Sequence, residues 1–277
     1  MIPYDFEYYR PASVHEAANL FQQLDGQGKQ PLYWSGGTEI ITLGRLNQVI
    51  TGAVIDLKAI PECREMSARE DKLILGSALT LSELYDSRVF PLLGETGGGV
   101  ADRTSRNKIT FGGNICGQFQ YREAVLPLLL TDSEVRIFGP AGGRQAPITQ
   151  VFEQTLQLGR GEFLVQTVTE ESYTKLPYMT IKKRKVAAIG YPVVTVAAIR
   201  AGSGIRIAFS GVCAFPFRSA AIEARLNLRD IPLKERVEQV GSLFPAPILN
   251  DIEASAEYRE LILKLTLEDI LRALGAE

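Results

Sequence analysis

The chain has 277 residues, 45% of them hydrophobic and 22% charged, and a formal net charge of −2. That is the make-up of a well-cored protein with room for roughly two domains of ~100–200 residues each. The near-neutral balance offers nothing to attract nucleic acid or an anionic membrane.

No apolar run approaches the ~18–20 residues of a membrane-spanning helix. The opening MIPYDFEYYRP has neither the basic nor the apolar region of a signal peptide, which points to the cytoplasm. The three cysteines, Cys63, Cys116 and Cys213, lie far apart without C-x-x-C spacing. This argues against a disulfide framework, a zinc site or an iron–sulfur cluster within the chain. The one histidine, His15, falls beside Glu16 on a predicted helix face. A Ser-His-Asp triad and a Cys-His pair are therefore out of reach. No catalytic side chain and no metal ligand set is expected, and redox chemistry would need an organic cofactor.

In chain order, Phe6, Tyr8 and Pro11 form an extended aromatic opening. Ser13 and Glu16 read as a capping box for a helix with Val14, Ala17, Ala18, Leu20, Phe21 and Leu24 on one face. Asp25-Gly26-Gln27-Gly28 stops it. Pro31 to Trp34 predicts a short strand running into Ser35-Gly36-Gly37-Thr38-Glu39, with a short helix or turn from Ile40 and a second strand at Ala53 to Leu57. The first ~58 residues thus read as a small α/β unit whose glycine loop lies at a strand end, where open α/β sheets bind ligands.

A second unit follows, with a strand at Lys72 to Gly76, a capping box at Thr80 and Glu83, and a helix from Phe90 to Ala101 whose end Gly97-Gly98-Gly99 weakens. Thr110-Phe111-Gly112-Gly113-Asn114 reads as another glycine loop, and the next few residues are too polar to assign. Ala124 to Leu130 predicts a helix; Glu134 to Phe138 and Glu162 to Thr169 predict strands. A change of character near residue 172 suggests a boundary. Beyond it come a strand at Tyr178 to Ile181, a basic stretch Lys182 to Lys185 read as a solvated loop, and a hairpin about Gly202-Ser203-Gly204. Three helical stretches close the chain, the last with Tyr258, Leu261, Ile262 and Leu265 at helical spacing. Strands followed by helices predict a separate α+β domain.

Either Gly-Gly pair alone would be an ordinary turn. Together they suggest a ligand with two adjacent phosphates, a dinucleotide, because glycine lets main-chain N–H groups approach an anion closely. The chain contains no G-x-G-x-x-G and no G-x-x-x-x-G-K-[ST], so neither a Rossmann site nor a P-loop is supported.

Several motifs in order carry a family resemblance: Phe6-x-Tyr8-x-x-Pro11, Ser35 to Glu39, Val100-Ala101, Arg106-Asn107, Thr110 to Asn114, Ala214 to Arg218 and Ser255 to Arg259. They run over nearly the whole chain, which resembles the FAD-binding medium subunits of the molybdenum hydroxylases, the xanthine dehydrogenase and carbon monoxide dehydrogenase group. The resemblance implies an α+β fold. A PCMH/VAO-type FAD-binding domain of two small α/β subdomains (about 1–58 and 59–172) would precede a C-terminal α+β domain (173–277) of the carbon monoxide dehydrogenase flavoprotein type.

It also implies site residues. Ser35, Gly36, Gly37, Thr38 and Glu39, with Thr110, Gly112, Gly113 and Asn114, would hold the FAD pyrophosphate. Trp34 and Ile40 would be apolar neighbours, and Ala101 and Leu164 would lie against the cofactor. Glu123 would take the place of a ribose-binding Asp. Lys182 heads a basic run suited to a diphosphate, and Tyr191 would cover the isoalloxazine ring, since a flat ring stacks well on an aromatic side chain. The chain departs from the family pattern at Gly190, where Asp is frequent, at Thr180, where Lys is usual, and in the bulky stretch Gly117 to Arg122.

The function implied is that of an oxidoreductase flavoprotein subunit. It would pass electrons from the 2Fe-2S clusters of a small partner, fed by a molybdopterin-binding large partner, through FAD to NAD+ or another acceptor. Two other readings are a stand-alone flavoenzyme of the UDP-N-acetylenolpyruvoylglucosamine reductase type and a flavin-free assembly subunit.

Overall fold

Ser13 starts the first helix as expected. In the computed structural model, which describes residues 2–186 and 190–276, its Oγ accepts from the Glu16 N–H at 3.1 Å. Glu16 reaches back to the Ala12 N–H at 2.7 Å, one residue earlier than a standard capping box would have it. The helix α1 (Val14–Gly26) buries Val14, Ala17, Ala18 and Leu24.

The chain packs as two units, each discontinuous in sequence. The first comprises Met1–Glu83, Thr104–Gly117 and Ser133–Glu171. It contains a three-stranded parallel sheet of β1 (Glu7–Tyr9), β2 (Leu32–Trp34) and β3 (Ala53–Asp56), with β3 in the middle. The central strand is wholly buried, and Ala53 and Ile55 share a core cluster with Val14, Ala17 and Leu24 of α1. A second helix, α2 (Thr38–Arg45), leaves the end of β2.

The same unit holds a five-stranded antiparallel sheet. Its strands are β4 (Met66–Arg69), β5 (Lys72–Gly76), β6 (Glu134–Gly139), β7 (Gly142–Pro147) and β8 (Phe163–Glu170), in the order β4-β5-β8-β6-β7. The two edge strands are invisible to periodicity. Met66–Arg69 and Gly142–Pro147 are polar and mostly exposed, and they are strands because a hairpin partner supplies their ladder.

The second unit comprises Leu84–Arg103, Gln118–Asp132 and Ser172–Glu277. The sequence places its boundary near 172, whereas two earlier segments belong with the C-terminal part through long-range packing that local patterning does not register. A four-stranded antiparallel sheet runs β12-β11-β10-β9, from β9 (Tyr178–Arg184), β10 (Pro192–Ala201), β11 (Gly204–Ser210) and β12 (Phe217–Arg218). The expected hairpin is present, with Ala201 opposite Gly204. The basic stretch is not the solvated loop that charge suggests. β9 continues to Arg184 because Lys182 pairs with Thr195 and Lys183 with Val194, and alternation puts Lys182 and Arg184 on one face.

The C-terminal helix Ala256–Ala273 opens on Ser255, whose Oγ accepts from the Tyr258 N–H at 3.3 Å. Its buried face is Arg259, Leu263, Thr266, Leu267, Ile270 and Leu271. Tyr258, Leu261 and Leu265, which the apolar spacing singles out, are exposed.

Candidate cofactor site

The two glycine pairs, far apart in sequence, meet within the first unit. β2 ends at Trp34, opposite Asp56 of β3, so the first loop leaves the C-terminal edge of the parallel sheet. Gly37 enters α2 with φ of +69° and caps it without a side-chain hydrogen bond. Left-handed backbone favours glycine here, and space demands it, since a Cβ would come within 2.1 Å of the Trp34 ring. Trp34 in turn stacks on Phe6, with ring centroids 6.3 Å apart.

The second pair lies inside a helix and not in an open loop. Thr110 is the N-cap of the helix Phe111–Cys116, so Gly112 and Gly113 form its first turn, and neither has a positive φ. The preceding residues run antiparallel to 77–81. Leu81 N–H donates to Ile109 O at 3.0 Å, Phe111 N–H to Leu79 O at 2.7 Å, and Gly112 N–H to Ser77 O at 2.8 Å, with a bridge between Thr80 and Thr110. Gly112 lies so close that a Cβ would sit 2.5 Å from that of Ser77.

One hydroxyl joins the two pairs. Thr110 Oγ1, on a residue 1% exposed, accepts from the Gly36 N–H at 3.2 Å and from the Gly113 N–H at 3.3 Å. Gly36 also packs against the neighbouring Lys108 carbonyl, which a Cβ would meet at 2.2 Å. Ser35 Oγ is buried without a hydrogen-bond partner. Glu39 stands in the first turn of α2, and its Oε2 is where a Cβ on Gly117 would arrive, at 2.7 Å. Thr38, Ile40 and Asn114 are half-buried around this pair of turns.

Two further residues support these turns: Lys58, which has no signal in the sequence, and Glu83, expected from the capping box at Thr80. Lys58, just past β3, donates from Nζ to the Ser35 carbonyl at 2.8 Å. Glu83 accepts from both the N–H and the Oγ1 of Thr80, each at 2.7 Å, and is held by Arg64. Burial alone would raise the Glu83 pKa, but the Arg64 guanidinium and Thr80 outweigh it and bring it down to about 2.

Leu164 is a buried residue of β8, opposite Ile137, in the first unit. The remaining candidates belong to the second. Ala101 is exposed and holds a positive φ of 45°, a strained conformation for a residue with a Cβ. Glu123 is 1% exposed and pairs with Lys182, Nζ to Oε1 at 2.6 Å, while Lys182 also donates to the Gly99 carbonyl at 2.8 Å. Two residues that the sequence treats separately are thus a single buried ion pair. Tyr191 is 48% exposed and stacks on Tyr121 at 4.7 Å, with Phe119 at 6.1 Å, so the bulky stretch before Glu123 builds an aromatic stack. Tyr121 donates to Asp251 Oδ2 at 3.3 Å, and the fully buried Arg259 holds Asp251 and the Pro192 and Gly211 carbonyls.

Among the described residues no cluster of His, Cys, Asp and Glu could hold a metal ion, and no helix is long and apolar enough to cross a membrane.

Residues 4–168 match the family described as FAD binding domain in molybdopterin dehydrogenase. The chain is 28% identical to the carbon monoxide dehydrogenase medium chain of Hydrogenophaga pseudoflava over 277 residues, 94% of this chain and 93% of that one. It is 28% identical to the xanthine dehydrogenase FAD-binding subunit of Escherichia coli O157:H7 over 151 residues, 52% of this chain and 50% of that one. Its fold matches a chain of carbon monoxide dehydrogenase from Hydrogenophaga pseudoflava, solved in a form lacking the Mo-pyranopterin moiety of the molybdenum cofactor. The TM-score is 0.87 at 25% identity, over 100% of this chain and 99% of that one.

Proposed function

The chain belongs to the family of FAD binding domains in molybdopterin dehydrogenases, and from that premise we propose that it is the FAD-binding electron-transfer subunit of a molybdopterin-dependent hydroxylase or dehydrogenase complex. The bound FAD would supply two-electron redox chemistry, between the iron–sulfur clusters of a partner subunit and NAD+ or another acceptor. A molybdopterin-binding large subunit and a 2Fe-2S small subunit are the partners this reading requires. Likeness to a medium chain over nearly the full length of both proteins supports a subunit over a stand-alone flavoenzyme.

The residues present suit the cofactor. The observation that carries the reading is the Thr110 hydroxyl receiving N–H groups from both glycine pairs. It brings two glycine turns, an uncapped helix start and the unpartnered Ser35 Oγ to one place. The N–H groups of Gly36, Gly112 and Gly113 are taken up within the protein, so what these turns offer a pyrophosphate is the start of α2, which no side chain caps. Ser35 to Glu39 and Thr110 to Asn114 are the proposed pyrophosphate turns, with Trp34 and Ile40 as their apolar flank. On the family resemblance, Ala101, Glu123, Leu164, Lys182 and Tyr191 are proposed as further FAD contacts. For Glu123 to serve a ribose hydroxyl it must share its carboxylate with Lys182. For Tyr191, the stack with Tyr121 supplies a preset aromatic plane.

The test is the near-ultraviolet and visible absorbance spectrum of the purified chain, with released flavin identified after denaturation. Oxidised-flavin bands and free FAD are expected, and Gly36→Val, which drives a side chain into the Lys108 carbonyl, is expected to remove them. A colourless protein that takes up no added FAD overturns the reading.

A further inference from the structure

Asp56 ends the central strand β3 and is 3% exposed. A carboxylate so buried needs partners, and it has three donors: the Tyr8 hydroxyl, the Lys58 N–H at 2.9 Å and the Lys58 ammonium at 2.8 Å. Burial pushes its pKa up, but the Lys58 and Tyr8 hydrogen bonds outweigh that and hold it below the usual carboxylate range. The same ammonium donates to the Ser35 carbonyl at 2.8 Å. An ammonium has three protons in tetrahedral array. Two are committed, to Asp56 and to Ser35, so the third points away from both, and the side chain remains 39% exposed.

The charge at this turn needs such a group. Main-chain N–H groups carry only partial charges, and the one ionisable residue in the first turn of α2 is acidic, Glu39. Lys58, arriving from the neighbouring strand end, is the cation whose ammonium is anchored on the turn.

We propose that Lys58 is a cofactor-binding residue whose ammonium, fixed by Asp56 and the Ser35 carbonyl, supplies the positive charge that meets the FAD pyrophosphate. This rests on the FAD reading above and adds to it a residue that neither the motifs nor the resemblance includes. Because Asp56 and Ser35 order the side chain beforehand, little entropy is lost when the anion arrives.

The experiment is an FAD titration of the full-length apo chain, followed by flavin fluorescence at low and physiological ionic strength. Wild type, Lys58→Met and Lys58→Arg are compared, with thermal unfolding of each in the absence of FAD. The expected result is an affinity loss of about tenfold or more in Lys58→Met, as for other charge-assisted contacts. The salt dependence of binding should be shallower, and Lys58→Arg should restore most of both. Without FAD the midpoint of Lys58→Met should fall, because buried Asp56 loses its ammonium, and Lys58→Arg should recover it. Wild-type affinity and salt dependence in Lys58→Met overturn the proposal while leaving the FAD reading intact. A loss with unchanged salt dependence that Arg does not restore also overturns it, since that is the signature of a deformed turn. Failure of the wild-type chain to bind FAD overturns the function reading itself, and this proposal with it.

Discussion

At Gly36-Gly37 the backbone turns into a helix through φ of +69°, with an indole ring beneath it and no side-chain cap. At Gly112-Gly113 the backbone is ordinary helix, capped by its own Thr110 and pressed onto the residues that follow β5. The same two-letter signature therefore reports two different constraints. In the first pair glycine is needed for conformation and for room. In the second it is needed for room alone, at 112 against Ser77 and at 113 against Thr110 Oγ1, where a Cβ would lie 2.8 Å away. A Gly-Gly pair marks close approach without saying whether the neighbour is a ligand or the protein itself.

The largest effects should come from adding one methyl to each pair. Gly37→Ala must hold an alanine in left-handed backbone, at roughly 1–2 kcal/mol, and displace the Trp34 ring. The expected outcome is loss of flavin, with a modest fall in the unfolding midpoint of the apo chain. Gly112→Ala meets Ser77 backbone and Cβ in a packed strand contact, which is overpacking and costs about 1–3 kcal/mol. Its midpoint should fall together with flavin retention. Thermal unfolding of apo protein beside flavin content of the purified protein checks both. Equal behaviour of the two variants would erase the distinction drawn between the pairs.

The sequence made the glycine pairs, the caps at Ser13 and Thr80, and the β10–β11 hairpin legible because each is written in a few adjacent residues. What it hid depended on distant partners. β4 and β7 are strands through pairing and not through hydrophobic alternation. The basic run Lys182 to Arg184 is strand because β10 lies beside it, and Lys182 finds Glu123 across 59 positions. In the C-terminal helix the spacing of Tyr258, Leu261 and Leu265 predicts a helix correctly but marks its exposed side, because a buried Arg259 and Thr266 lie on the core side. Lys58 is unreadable for the same reason: one lysine after a strand means nothing until its ammonium is found on the Ser35 carbonyl.

A change of intermediate size separates the shared anchor from the two turns it joins. Thr110→Val keeps the shape and removes the oxygen that both Gly36 and Gly113 address. Loss of a cap costs about 1 kcal/mol, and the freed turns should weaken FAD binding more than that, since both change at once. Thr110→Ser should retain binding. FAD titration beside urea unfolding tells the effects apart. If Val lowers stability and leaves FAD affinity untouched, the hydroxyl is only a helix cap, and the two turns do not act together.

The smallest effect concerns the carboxylate behind the second pair. Glu83 holds Thr80, which bridges to Thr110. Its pKa of about 2 in the folded chain lies below the ordinary 4.5. A depressed folded value means that the stabilisation is fully present above about pH 4.5 and fades as the pH falls toward 2. Replacing Glu83 by Gln should therefore lower the unfolding midpoint at neutral pH and matter progressively less in acid, until mutant and wild type coincide. The side chain is 39% exposed, so screening by solvent keeps the neutral-pH difference within about 1 kcal/mol. Unfolding midpoints measured across this pH range give the answer. A difference that persists unchanged down to pH 2 would mean that Glu83 acts by shape, and that the second turn, unlike the first with its Asp56–Lys58 clamp, owes nothing to charge.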